Sequence, residues 1–305
     1  VSPPTRTERA EELLRAGSDQ YREGDLEGAR IRFEEALDTS ASVDYRKGVA
    51  DALNNLGSVR LKQGNYQDAL SNYRGALDIY RSLNDDRGIA TTLLNMGMVH
   101  AAIGQEEKAR EYFQSGLQTS QQSKLRDIEA KALNNLGLVE KESGNLAQAR
   151  DYYERALALN EKMDNRQAMA DNLTNLGALA LGEKDIEASI GYHRRALEID
   201  KELEIPDAIA LDLFNLAAAY QAKGDYASAI DHYNRALAIY TLTGNRPRSA
   251  HTLYGLGIAN EKGGNRDRAL ENYRSALDVA VTAGLSDLAE KARSKVLELS
   301  EASGR

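Results

Sequence analysis

The run Leu53-Asn54-Asn55-Leu56-Gly57, followed by Gly64-Asn65-Tyr66, then Ala69, Tyr73 and Ala76-Leu77, decides how this chain folds. Its Leu-Gly pair, or a near relative, returns every forty residues: Ala16-Gly17, Leu56-Gly57, Met96-Gly97, Leu136-Gly137, Leu176-Gly177, Leu216-Ala217 and Leu256-Gly257. No insertion or deletion disturbs the spacing across the seven copies. A fixed period in this range belongs to solenoids, in which each unit buries its apolar face only against its neighbours. Such a fold presents a surface and rarely builds a catalytic pocket.

Aligning the copies on the glycine assigns each position a task. Alanine stands seven residues before it (Ala10, Ala50, Ala90, Ala130, Ala170, Ala210, Ala250) and leucine four before it (Leu13, Leu53, Leu93, Leu133, Leu173, Leu213, Leu253). Spacings of three, four and seven trace one stripe of a helix, so each copy opens with an amphipathic helix. A turn follows at Gly24-Asp25, Gly64-Asn65, Gly104-Gln105, Gly144-Asn145, Gly224-Asp225 and Gly264-Asn265. Glycine there ends one helix in the left-handed conformation, and Asp or Asn caps the next. The second helix carries Ala29, Ala69, Ala109, Ala149, Ala229 and Ala269, with Phe33, Tyr73, Phe113, Tyr153, Tyr233 and Tyr273 four residues on. Small residues on one helix meeting large ones on the other predict a tight antiparallel hairpin.

Two copies depart from the pattern. The fifth has Lys184-Asp185 at the turn, with Ser189 and His193 at the alanine and aromatic positions; Gly182 offers an earlier helix end. The sixth has Ala217 for the glycine, which predicts a wider helix spacing and a local irregularity around residues 180–220. Ser286 to Ser300 reads as a last helix, with Leu288, Ala292, Val296 and Leu297 covering the final copy.

Taken in order, these positions resemble the tetratricopeptide repeat (TPR) over nearly the whole chain. The family's usual tryptophan is leucine here and its closing proline is absent. The forty-residue period, with Asp86-Arg87 or Asn165-Arg166 opening a longer first helix, resembles the extended subclass of Pins-like adaptors, and similar arrays occur in kinesin light chains and bacterial signalling proteins. The resemblance implies an all-α, right-handed superhelical solenoid of seven TPR helix hairpins plus a C-terminal capping helix. The expected divisions are a leader 1–6, repeats 7–43, 44–83, 84–123, 124–163, 164–203, 204–243 and 244–283, and a cap 284–305.

Composition agrees with helices throughout: 42% of the 305 residues are apolar and only four are proline. With no cysteine, structural disulfides and thiolate metal sites are ruled out, while the compartment stays open between cytoplasm and periplasm. A formal net charge of -8 argues against a general nucleic-acid binder. No stretch approaches the ~20 apolar residues of a membrane span. The chain opens on Val1 without methionine, which leads us to expect a processed or excised form whose leader, beginning Val1-Ser2-Pro3-Pro4, acts as a tether or linker.

In a TPR array the first helices line the concave side, which places the candidate site. Two residues before the glycine stand Asn55, Asn95, Asn135, Asn175 and Asn215. Asparagine is a poor helix former, so this ladder needs a reason: either its amides hold the main chain of an extended peptide, or they tie neighbouring helices together. The variable neighbours are Asn54, Leu94, Asn134, Thr174, Phe214 and Tyr254 on one side of the ladder and Met98 and Leu138 on the other. They read as a shallow apolar groove with aromatic anchors, or as packing between repeats. Arg46, Arg126, Arg166 and Arg246 recur at one repeat position, with Arg87 one residue out of step; salt bridging to the adjacent helix is favoured over a grip on an acidic peptide.

Nothing in the sequence suggests an enzyme. Of the four histidines none belongs to a zinc motif, His193 reads as a core residue, and neither a P-loop nor a nucleophile elbow occurs. Gly255-Leu256-Gly257 lacks both the third glycine and the preceding strand of a dinucleotide site. No cofactor or metal is expected. The leading expectation is a module that binds a peptide or helix of a protein partner in its concave groove. The places where a carboxylate-clamp TPR carries basic residues hold Asn54, Ser58, Thr91, Asn95 and Asn135, which argues against that mode. The alternatives are a scaffold or self-assembling homo-oligomer using its convex face and ends, and a sensor cut from a larger signalling protein.

Overall fold

The computed structural model describes residues 4–301. Val1 to Pro3 of the expected leader, and residues 302–305 of the expected cap, lie outside the described residues. The rest is helical hairpins: α1 (Arg6–Glu23) with α2 (Leu26–Ser42), α3 (Arg46–Lys62) with α4 (Tyr66–Leu83), α5 (Asp86–Ala102) with α6 (Glu106–Gln122), and α7 (Arg126–Glu142) with α8 (Leu146–Lys162). There follow α9 (Arg166–Gly182) with α10 (Ile186–Glu202), α11 (Pro206–Lys223) with α12 (Tyr226–Leu242), α13 (Arg246–Lys262) with α14 (Arg266–Thr282), and the single α15 (Ser286–Glu301). Seven hairpins and a closing helix are thus present. The chain divides into two compact units, Val1–Leu159 and Asn160–Arg305.

The stripe alanines explain the hairpin geometry. Ala10, Ala50, Ala90, Ala170, Ala210 and Ala250 are completely or almost completely buried, as are Ala29, Ala69, Ala109, Ala149, Ala229 and Ala269 on the second helices. Between them lies the ring of the aromatic position. At Gly57 a methyl group would sit 2.6 Å from Tyr73, and at Gly137 2.6 Å from Tyr153, so only hydrogen fits there. The sixth copy shows how the rule is bypassed. Ala217 fills that space, and the Tyr233 ring lies against α13, where its Cζ would be 2.8 Å from a methyl on Gly255. Gly255 occupies the ladder position that is asparagine in the five preceding copies, so one small residue has been exchanged for another.

The turns bring corrections. Gly182 does not end its helix early: α9 stops in register, and Lys184 itself takes the left-handed conformation at φ 65°. Caps form at Asp25, Asp85, Asn165, Asp185, Asp225 and Asn245, whereas Asn65, Gln105 and Asn265 make no side-chain cap bond. The sequence reading also overlooked a second left-handed position, between hairpins, at Asp44, Asn84, Lys124, Asp164, Glu204, Gly244 and Gly284. In α15, Leu288 and Ala292 are buried as expected, but Leu297 is exposed and Leu299 takes its place against Ala269 and Tyr273.

Candidate functional site

In residues 1–159 the first helices α1, α3 and α5 face a common cleft of about 510 Å³. It is walled by Leu14, Arg15, Ser18, Asp19 and Arg22 of α1, by Lys47, Asp51, Asn54 and Asn55 of α3, and by Arg87, Gly88 and Thr91 of α5, with Tyr80 and Asp85 closing it from the preceding hairpin and turn. Asn55 also lines an adjoining cleft of about 170 Å³ with Ser18, Tyr21, Arg22, Phe33 and Ser58. The residues meet here because their positions on successive first helices repeat every forty residues and α3 packs between α1 and α5.

The cleft is polar and internally neutralised. Lys47 Nζ lies 2.6 Å from Asp85 Oδ2, 3.5 Å from Asp51 Oδ1 and 5.4 Å from the Tyr80 ring centre. Tyr80 donates its hydroxyl proton to Asp51 at 2.6 Å. Burial pulls Lys47 down, but the Asp85 and Asp51 carboxylates outweigh it and hold the ammonium above its usual range. Burial likewise opposes Asp85, and the Lys47 and Gly88 hydrogen bonds still leave it below the usual carboxylate range. Tyr80 is pushed up, first by burial and then by Asp51. At neutral pH the cleft therefore holds a fixed ammonium between two carboxylates, with a neutral phenol beneath.

The ladder splits into two behaviours. Asn54 Oδ1 accepts from Thr92 Oγ1 at 3.1 Å and from Asn95 Nδ2 at 3.2 Å, so Asn54 and Asn95 tie α3 to α5. The amides of Asn55, Asn135 and Asn215 are half-buried and make no hydrogen bond among the described residues. Asn134 and Asn175 are half-buried and partnered. Thr174 donates to Asp212 at 3.0 Å.

Of the apolar candidates, Met98 and Leu138 are 45% and 38% exposed. Leu94 must be corrected: at 5% exposure it belongs to the core, inserted against α6, where Gly116 leaves room for its methyls. Phe214 and Tyr254 are half-buried, packed on Tyr233 and Tyr273 with ring centres 5.4 Å apart in each case. The cleft thus lies in the first three hairpins of the 1–159 unit, and those two aromatics lie in the other unit.

The recurrent arginines behave mainly as structural ties. Arg87 forms a two-pronged pair with Asp127 at 2.7 and 2.9 Å, Arg166 pairs with Glu202, and Arg46 donates to Ser82 at 2.8 Å. Sequence reasoning missed Arg15, Asp19, Arg22, Lys47, Asp51 and Asp85. Asp51 stands six residues before the glycine, a position on the concave stripe, and Lys47 precedes it by one helical turn on the same face.

No curated protein matches the chain. The crystal structure of BtubC (BKLC) from P. vanneervenii is 25% identical, covering 79% of this chain and 93% of its own, with a TM-score of 0.59. The apo form of RapI is 15% identical over 95% of this chain and 99% of its own, with a TM-score of 0.67. The Rap conjugation gene regulator of the plasmid pLS20, solved in complex with the Phr* peptide, is 16% identical over 88% and 74%, with a TM-score of 0.61. The profile of the Tetratricopeptide repeat matches residues 8–82, 48–122, 128–202 and 207–280, well over half of the chain. With its glycine–aromatic hairpins and unbroken period, the chain belongs to the tetratricopeptide repeat family, whose arrays serve as protein-interaction modules.

Proposed function

We propose that this protein binds an extended segment of a partner protein along its first helices, with the α1–α3–α5 cleft as the primary seat. The observation that carries the reading is the set of unpartnered amides at Asn55, Asn135 and Asn215. Asn55 faces the cleft, and an amide that donates and accepts at once matches the main chain of a peptide, whatever its side chains. The Lys47–Asp51–Asp85 group then selects side chains: an incoming group must replace an existing pair, so a ligand with both an acidic and a basic group fits better than a singly charged one. The Rap regulator solved with a peptide supports the reading by analogy of fold.

The test is a random peptide display selection on the wild-type chain, followed by calorimetry on the recovered peptides. Losing two main-chain hydrogen bonds of about 1 kcal/mol each should weaken binding by an order of magnitude or more in Asn55→Ala/Asn135→Ala. Binding of the selected peptides at full strength to that variant would remove the site from the ladder.

A second reading, self-association through the hairpin ends, is favoured by Leu242, which is 87% exposed at the end of α12. Light-scattering mass across a hundredfold range of concentration separates the two: a constant monomer mass excludes the second.

A further inference from the structure

One repeat position near the end of each second helix, and the position twelve residues on in the next first helix, are buried in every copy. Within residues 160–305 these are Asn160–Asn172, Asp200–Asp212, Tyr240–Thr252 and Ala280–Ala292; within residues 1–159 they are Ser40–Ala52, Tyr80–Thr92 and Ser120–Ala132. Asparagine solves the problem directly, since Asn160 Nδ2 donates to Asn172 Oδ1 at 2.7 Å. Only α10 and α11 place two acids there, and both are almost inaccessible, Asp200 at 3% and Asp212 at 1%.

Two ionised carboxylates are acceptors only and cannot bond to each other. Asp200 Oδ1 and Asp212 Oδ2 are buried with no hydrogen-bond donor among the described residues, at the register that brings Asn160 and Asn172 to 2.7 Å one repeat earlier. The surroundings do not relieve the charge. From α9, Thr174 donates to the other oxygen of Asp212, and the Asp171 carboxylate adds a third negative charge. From α12 the neighbour is the neutral Tyr240, which also feels Asp207 of α11 and, from α13, Arg248. No cation acts on the acids themselves among the described residues.

We propose that Asp200 and Asp212 share one proton across α10 and α11, and that release of this proton loosens the junction between the fifth and sixth hairpins. The shared proton turns two opposed acceptors into a carboxyl–carboxylate hydrogen bond equivalent to the neighbouring amide pair. Burial, the Asp200 charge and the Asp171 charge push Asp212 up to about 8, and burial also raises Asp200. The folded state therefore holds a proton that the unfolded chain gives up near pH 4. The resulting stability is complete below pH 4 and drains away as the pH rises towards and through 8.

Carbon-detected NMR of the side-chain carboxyls in the full chain reads the proton directly. One inflection above pH 6, followed by the resonances of both residues, is expected; two ordinary titrations near pH 4 would overturn the proposal. Hydrogen exchange supplies the mechanical readout. After correction for intrinsic rate, opening of α10 and α11 amides should increase by up to about tenfold per pH unit while the closed pair still holds the proton that the open chain gives up, and should level off once the closed pair has lost it too. Asp200→Asn/Asp212→Asn, which copies the adjacent amide pair, should flatten that dependence while Asp207→Asn leaves it intact. Wild-type and double-variant curves that run parallel from pH 5 to 9 would also overturn the proposal. Should the double variant fail to fold, the wild-type titration decides alone.

Discussion

At the scale of single residues, the chain is governed by what fits against the aromatic ring of each hairpin. Gly137 has room for hydrogen alone because Tyr153 would lie 2.6 Å from a methyl. Gly137→Ala should therefore cost about 1–3 kcal/mol, read as a lowered denaturation midpoint, unless the ring finds the outlet that Tyr233 takes beside Gly255. His193 fills the same slot in the fifth hairpin and is buried there. Burial pulls it down to about 4, so it is packed as neutral imidazole. Its contribution is present above pH 6.5 and is lost as the pH falls towards and through 4, a span worth about 3 kcal/mol. His193→Phe should remove that acid-side slope in urea melts between pH 7 and 4 without unfolding the protein at pH 7. Lys184 carries a positive φ at a turn where six other copies have glycine. Lys184→Gly should raise the thermal midpoint by an amount equivalent to about 1 kcal/mol.

At the scale of helices, polar ties set how one hairpin meets the next. Glu140 on α7 is buried, yet it accepts from Arg110 Nε of α6 at 2.6 Å and from Asn145 Nδ2 at 2.7 Å. Burial works against the carboxylate, and these two donors still hold it below its usual range. Arg110→Met would strand a buried charge and should cost about 3 kcal/mol, whereas Arg110→Met/Glu140→Leu should recover most of the loss. A double-mutant cycle in chemical denaturation measures the difference. Between α3 and α5 the tie is Asn54, which accepts from both Thr92 and Asn95. Its involvement explains why the asparagine ladder was only half legible. Sequence alone shows that an amide recurs on one stripe, but whether that amide turns to its neighbour or to the groove depends on what the next helix offers. Asn95 of the ladder finds the Asn54 carbonyl oxygen beside it, and no such partner reaches Asn55.

At the scale of the molecule, charge divides the two units into different pH responses. In residues 1–159 the cleft and the ties pair their acids with bases, as in Lys47–Asp85, Arg87–Asp127 and Arg110–Glu140, and these carboxylates lie below their usual range. Their contribution is present above about pH 4 and disappears in acid. Residues 160–305 also pair acids with bases, as in Lys295–Glu261, but add the unpaired acids of the Asp200–Asp212 junction and the neutral His193. Hydrogen exchange across pH 6 to 9 should show opening confined to the second unit, with α3–α5 protection unchanged. Uniform loss along the chain would point to the net charge of -8 as the cause instead.

What the sequence determined by itself was the hairpin and its repetition. A fixed period, small residues at stripe positions and, in six of the seven copies, an aromatic four residues beyond an alanine leave one way to bury the apolar surface, and this is a local constraint restated from copy to copy. The cleft, by contrast, was decided by tertiary structure, because Lys47, Tyr80 and Asp85 belong to different elements and acquire a common role only when α3 and α4 pack with the turn before α5. Leu94 and Met98, four residues apart on one helix, make the same point: one meets the gap left by Gly116 and is buried, while the other meets none and stays exposed. Burial depends on the partner surface, and a single strand of sequence carries only one side of it.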